Sequence, residues 1–161
     1  MSNREEQPVR VLFVCLGNIC RSPMAEAVFR AKVKAAGMEE RIETDSAGTG
    51  GWHIGEPPHR GTRTLLDRYE ISYTGQSARQ ISRSDLETYD YVVTMDEMNL
   101  ANVQALGPAR GKIVPLLEFA PHTGVIEVPD PYYDGVFEGV YRLIDAGCDG
   151  LLAAIRAEYR V

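Results

Sequence analysis

The sequence predicts a single-domain α/β fold, an open doubly wound four-stranded parallel sheet flanked by helices. Three observations carry this. Short β-branched, apolar runs alternate along the chain with stretches of helical periodicity. The first run breaks off into a tight loop that leads straight into a helix start. No repeat or linker divides the 161 residues, a length suited to one domain with its own core. Residues 1–8 read as a flexible tail and residues 9–161 as the domain.

Val9 to Val14 is an apolar run of the kind buried in a parallel sheet. Gly17 and Asn18 follow, both tolerant of the left-handed backbone a tight turn needs. Ser22 is a good N-cap, Pro23 suits a first helical position, and Gly37 stops the helix. A second strand is expected over Arg41 to Asp45 and a helix over Pro58 to Tyr69. A third strand covers Tyr89 to Met95, with a helix over Asp96 to Leu106, and a fourth strand covers Lys112 to Leu116. The last helix is the clearest: Phe137, Val140, Tyr141, Ile144, Cys148, Leu151, Leu152 and Ile155 recur at three- and four-residue steps. Two loops, Ala47 to Pro57 and Glu118 to Gly135, exceed what a connector needs. In open α/β sheets ligands bind where such loops gather.

Composition narrows the function. Hydrophobic residues make up 44% and charged residues 25%, the balance of a soluble globular protein. A net charge of −6 argues against a general nucleic-acid binder, which needs a large basic face. No window approaches the roughly 20 apolar residues of a membrane span, and the polar start lacks a signal-peptide core. Three cysteines make no disulfide framework, so a cytoplasmic, reducing setting is expected. His53, His59 and His122 stand apart and the cysteines lack a second ligand pair, so no metal and no cofactor are expected.

The chemistry concentrates in Cys15-Leu16-Gly17-Asn18-Ile19-Cys20-Arg21-Ser22, set between strand end and helix start. The free N–H groups and positive dipole of a helix N-terminus meet there with the planar fork of Arg21. A phosphate dianion or a similar oxyanion fits such a cradle. The same field favours a thiolate at Cys15 over a thiol. Ser22 is placed to donate to that thiolate, and Asn18 to brace the loop. A lone cysteine after a strand is usually a small buried hydrophobe. The pattern Cys-x5-Arg-Ser between an apolar strand and a Ser-Pro helix start is far more specific than that.

These residues resemble the signature of the low-molecular-weight protein tyrosine phosphatases, in the run Val-Leu-Phe-Val-Cys-Leu-Gly-Asn-Ile-Cys-Arg-Ser-Pro-Met-Ala-Glu-Ala. The resemblance continues at Asp45-Ser46-Ala47-Gly48, Trp52-His53-Ile54-Gly55, Ala78-Arg79-Gln80 and Asp130-Pro131-Tyr132-Tyr133, and Gly-Thr-Gly-Gly-Trp-His looks most like bacterial members. It implies metal-independent hydrolysis of phosphotyrosine in proteins through a phosphocysteine intermediate. Asp130, opening a Pro-restricted loop, then matches the acid that protonates the leaving oxygen. Trp52 and Tyr132 match walls that stack on a substrate ring, with Tyr133 a wall or a support and Leu16 an apolar floor. Ser46 matches a hydrogen-bond partner of Asn18. Many members add a histidine where this chain has Gln76. Cys20 matches a cysteine that forms a reversible disulfide with the nucleophile, and is otherwise a small buried filler. A monomer is the simplest assembly.

Three rival readings share the fold or the loop. An arsenate reductase needs further relay cysteines, and Cys148 sits on an apolar helix face. A protein arginine phosphatase typically has threonine in place of Ile19. A non-catalytic phosphotyrosine-binding module would be expected to have lost Cys15, Arg21 or Asp130.

Overall fold

Val9–Cys15 form β1, a strand buried on both sides: only Arg10 is exposed. Val11, Phe13 and Cys15 enter one core, while Leu12 and Val14 enter the other, as the two-residue period of a strand requires. The computed structural model describes residues 7–161, with Tyr133 and Asp134 described by backbone alone; the expected tail thus falls largely outside the described residues. β1 lies between β2 (Ile42–Gly48) and β3 (Tyr91–Thr94), and β4 (Lys112–Pro115) lies beyond β3. All pairings are parallel, in the order β2-β1-β3-β4.

Helices cover both faces. α1 (Arg21–Ala35), α2 (Arg60–Arg68) and α6 (Phe137–Tyr159) pack on one side, through Met24, Phe29, Leu65, Leu66, Ile144 and Leu151. α3 (Arg83–Thr88) and α4 (Glu97–Gln104) cover the other, through Leu86 and Val103. α5 (Pro131–Asp134) is a single turn before α6. The chain leaves β1 toward β2 and leaves β3 toward β4. The topological switch point therefore falls between the carboxyl ends of β1 and β3, where open α/β sheets bind ligands.

The structure departs from the sequence expectation in a few elements. β2 runs on past Asp45 to Gly48, because its ladder follows β1 to the pair Cys15 and Gly48. α3 was not expected; its six residues start where Ser82 N donates to the Asp85 carboxylate at 2.8 Å. The Glu118-to-Gly135 loop is partly ordered into 3-10 turns at Leu116–Phe119 and Pro121–Thr123, and then α5. α1 begins one residue before Ser22, whose hydroxyl makes no helix cap. Gly37 does end α1 in the left-handed region, at φ 71°. Among the described residues no helix is long and apolar enough to cross a membrane.

Phe13 is fully buried and meets Phe29 edge to face at 5.5 Å between ring centroids. Phe13→Ala should cost about 3–5 kcal/mol, read as a shift in the urea midpoint. Ile126→Ala, at a residue 75% exposed, should stay within about 0.5 kcal/mol.

Candidate active site

The loop after β1 is held from outside by its carbonyls. Those of Cys15 and Leu16 accept from Thr49 N and Gly50 N, both at 2.9 Å. Ile19 O accepts from His59 N at 2.6 Å, and Cys20 O accepts from Thr62 Oγ1 at 3.2 Å. In a trans peptide the carbonyl and the next N–H point opposite ways, and no cis peptide occurs among the described residues. The N–H groups of Leu16, Gly17, Cys20 and Arg21 are thereby turned toward the loop's interior. Asn18 sits at the turn with φ 58°, in the left-handed region, whereas Gly17 does not. Gly48 is required for another reason: a Cβ there would stand 2.8 Å from Leu16 O.

A chain of side-chain hydrogen bonds runs beneath the loop, and its direction is fixed at one end. Arg79 N–H donates to Asn18 Oδ1 at 2.9 Å, so the amide nitrogen must face the other way. Asn18 Nδ2 donates to Ser22 Oγ at 2.8 Å and to Ser46 Oγ at 3.0 Å. Ser46 in turn donates to Glu26 Oε1 at 2.7 Å, and Arg30 pairs with the same carboxylate. Ser22 Oγ, already accepting from Asn18, has its own proton for Cys15 Sγ at 3.0 Å; its alternative acceptor, Ala47 O, is farther at 3.4 Å.

Arg21 is buried at the head of α1. Its Nη1 donates to Asp96 Oδ2 at 2.6 Å and to Val128 O at 3.0 Å. Nη2 stands 3.5 Å from Asp130 Oδ2. Nε is buried with no partner in the protein. Asp130 also caps α5, its Oδ1 accepting from Tyr132 N at 3.0 Å. The structure thus brings Cys15, Arg21 and Asp130 to one cavity of about 260 Å³, lined also by Leu16, Cys20 and Trp52. Tyr132 and His53 complete its rim. Trp52 and Tyr132 are 72% and 51% exposed, standing at the mouth rather than in the core. The side chain of Tyr133 lies outside the described residues. A larger surface groove of about 1020 Å³, beside the edge strand β2, is lined by residues including Arg10, Arg30 and Thr44 and by no cysteine.

The family model for low molecular weight phosphotyrosine protein phosphatase matches residues 10–161. This chain belongs to that family. It is 49% identical over 152 residues to the low molecular weight protein-tyrosine-phosphatase YfkJ of Bacillus subtilis, covering 93% of this chain and 97% of the relative. The crystal structure of YfkJ superposes with a TM-score of 0.91, covering 94% of this chain and 96% of that one. PtpA of Staphylococcus epidermidis is 43% identical over 145 residues, covering 89% and 92%. A Drosophila arginine phosphatase shares the fold at 32% identity, with a TM-score of 0.84 over 91% of this chain and 97% of that one.

Within this phosphatase family site, sequence reasoning missed several contributors. Asp96 divides its carboxylate between two tasks, capping α4 through Asn99 N at 2.7 Å and holding Arg21. An aspartate at the carboxyl end of a strand beside the switch point was the available signal. Glu26 ends the chain through Ser46, whereas Gln76 donates to Pro23 O at 3.0 Å and makes no hydrogen bond to Asn18. Arg79 supports the loop through its backbone and binds Asp45 and Asp85 through its guanidinium. His59 caps α2 by accepting from Gly61 N, and it packs between Tyr132 and Phe137. Cys20, N-cap of α1, is buried, and burial together with the nearby Cys15 pushes its thiol up to about 12. Cys148 is core, as expected, its thiol also raised by burial.

Burial raises the Glu26 carboxyl above its usual 4.5, against the opposing pull of Ser46 and Arg30. A carboxyl raised on folding contributes stability below its unfolded value that is lost as pH rises through the folded one. Glu26→Gln removes this titration. The melting temperature of the variant, relative to the parent, should therefore climb as pH rises above 4.5, read by paired thermal melts at several pH values.

Proposed function

We propose that the chain acts as a protein tyrosine phosphatase, hydrolysing phosphotyrosine in proteins and small aryl phosphates, with Cys15, Arg21 and Asp130 carrying the reaction. The observation that carries this is the buried, unpartnered Nε of Arg21, on a residue that lines one cavity with Cys15 and Asp130. A phosphoryl group set there accepts from Arg21 Nε and from the loop amides, which places phosphorus over Cys15 Sγ.

The steps follow from those positions. Cys15 attacks as a thiolate, helped by the proton of Ser22; the S–P bond forms as the bond from phosphorus to the phenolic oxygen breaks. Asp130 gives its proton to that oxygen as tyrosine leaves. The resulting carboxylate then takes a proton from a water that attacks phosphorus. The S–P bond breaks, inorganic phosphate departs and the thiolate is restored. Ser22 and Asn18 keep the sulfur competent as both nucleophile and leaving group.

Trp52 and Tyr132 give an aromatic substrate two faces to stack on, and Leu16 adds an apolar contact. Ile19 on the same wall offers no hydroxyl to a guanidino phosphate, which favours phosphotyrosine over phosphoarginine. Inorganic phosphate and other oxyanions act as competing ligands of the cradle. One chain supplies Cys15, Arg21 and Asp130 to the same cavity, which supports a monomer as the working unit. All three cysteines are free, as a reducing cytoplasm keeps them. A peroxide would join Cys15 to Cys20 through a disulfide, taking two electrons and two protons from the thiol pair.

Cys15→Ser should abolish turnover while leaving phosphate binding largely intact; residual hydrolysis at parental rate would defeat the mechanism. Asp130→Ala should slow substrates with poor leaving groups by about 10²–10⁴ and activated aryl phosphates much less. Rates on matched phosphotyrosine, phosphoarginine and phosphoserine peptides should rank phosphotyrosine first, and a lead for phosphoarginine would shift the assignment.

A further inference from the structure

Behind the Tyr132 side of the catalytic cavity lies a second one, of about 330 Å³. Ile19, His53 and Tyr132 line both, so the two are separated by little more than side chains. Arg60 and Arg63, one turn apart at the start of α2, supply the second cavity's cations. Arg63 Nε is fixed by Pro58 O at 3.0 Å. Among the described residues neither guanidinium has a carboxylate partner, and Asp67, one turn beyond Arg63, is engaged by the Tyr73 hydroxyl. Glu56 lines the cavity too, but it pairs with His53 Nδ1. His59 accepts on Nδ1, which leaves Nε2 as a donor.

The contrast with the phosphate cradle is informative. Arg21 stands against two carboxylates, Asp96 and Asp130, whereas Arg60 and Arg63 keep their charge unmatched in a chain of net charge −6. The overall field repels an acidic peptide, so a local pair of guanidinium groups without a salt bridge beside the entrance is where a peptide's second negative charge is best placed.

Resting on the phosphatase reading above, we propose that this cavity is a subsite for an anionic side chain, carboxylate or phosphate, lying within a few residues of the phosphotyrosine in the same substrate. Arg60 and Arg63 set specificity there and take no part in the chemistry.

The test uses the Cys15→Ser protein and phosphotyrosine peptides that carry one Glu, one Gln or a second phosphotyrosine, moved through the three positions on either side. Binding is read by fluorescence anisotropy. At one spacing the Glu peptide should bind about five- to tenfold tighter than its Gln twin, the doubly phosphorylated peptide at least as tightly, and the preference should shrink in 0.5 M salt. Arg60→Gln with Arg63→Gln should bring the ratio near one without weakening the Gln peptide, and Arg63→Lys should keep most of it. No preference at any spacing, or one that survives the double glutamine variant, overturns the subsite. Turnover of para-nitrophenyl phosphate by the Cys15-containing protein, with and without the two glutamine changes, should be equal. Its absence from both would count against the phosphatase reading, while the binding series would still decide the subsite.

Discussion

Everything at the site leans on the side-chain amide of Asn18. It sits on a left-handed residue at the apex of the loop, and all three of its hydrogen bonds are made inside the protein. A backbone N–H can only donate, so Arg79 forces the amide oxygen toward itself and the nitrogen toward the two serines. Both serines then become acceptors, and their protons are left for Glu26 on one side and Cys15 on the other. A sulfur atom at the centre of the reaction thus receives a hydrogen bond whose direction is set by a peptide group on a segment 61 residues away in sequence. Burial makes this arrangement stiff, since any reversal would leave a polar group facing its own kind without water to relieve it.

The proposed anion site does not depend on the charge of the molecule. In a chain carrying six surplus negative charges, the proposed oxyanion cradle would rest on short-range attraction from oriented amides and one fixed guanidinium. The two carboxylates beside Arg21 hold it in position through Nη1 and Nη2, while its Nε stays without a partner in the protein.

Much of this was legible in the sequence, for reasons that differ element by element. β1 shows because Val11 to Val14 is buried on both faces and so is apolar without a break. α6 shows because one side of a long helix faces the core. The catalytic loop shows because its chemistry is contiguous, from Cys15 to Ser22. The end of β2, Ser46 to Gly48, was hidden because serine and glycine are poor strand formers, held in strand form by pairing with β1 rather than by propensity. α3 is too short to display a period. Ser22 looked like a helix cap because serine is one elsewhere, but here the thiol and Asn18 claim its hydroxyl. Asp96 and Glu26 act across 75 and 20 residues of separation, and no local pattern encodes such contacts.

The divided carboxylate of Asp96 has a consequence for anyone transplanting this site. One oxygen caps the start of α4 and the other anchors Arg21, so the two elements form a single mechanical unit. Grafting Cys15 to Ser22 onto another parallel sheet would carry over the amides and the nucleophile but leave the guanidinium unmoored. A working graft has to bring the turn after β3 with it, at the register β1 and β3 share here.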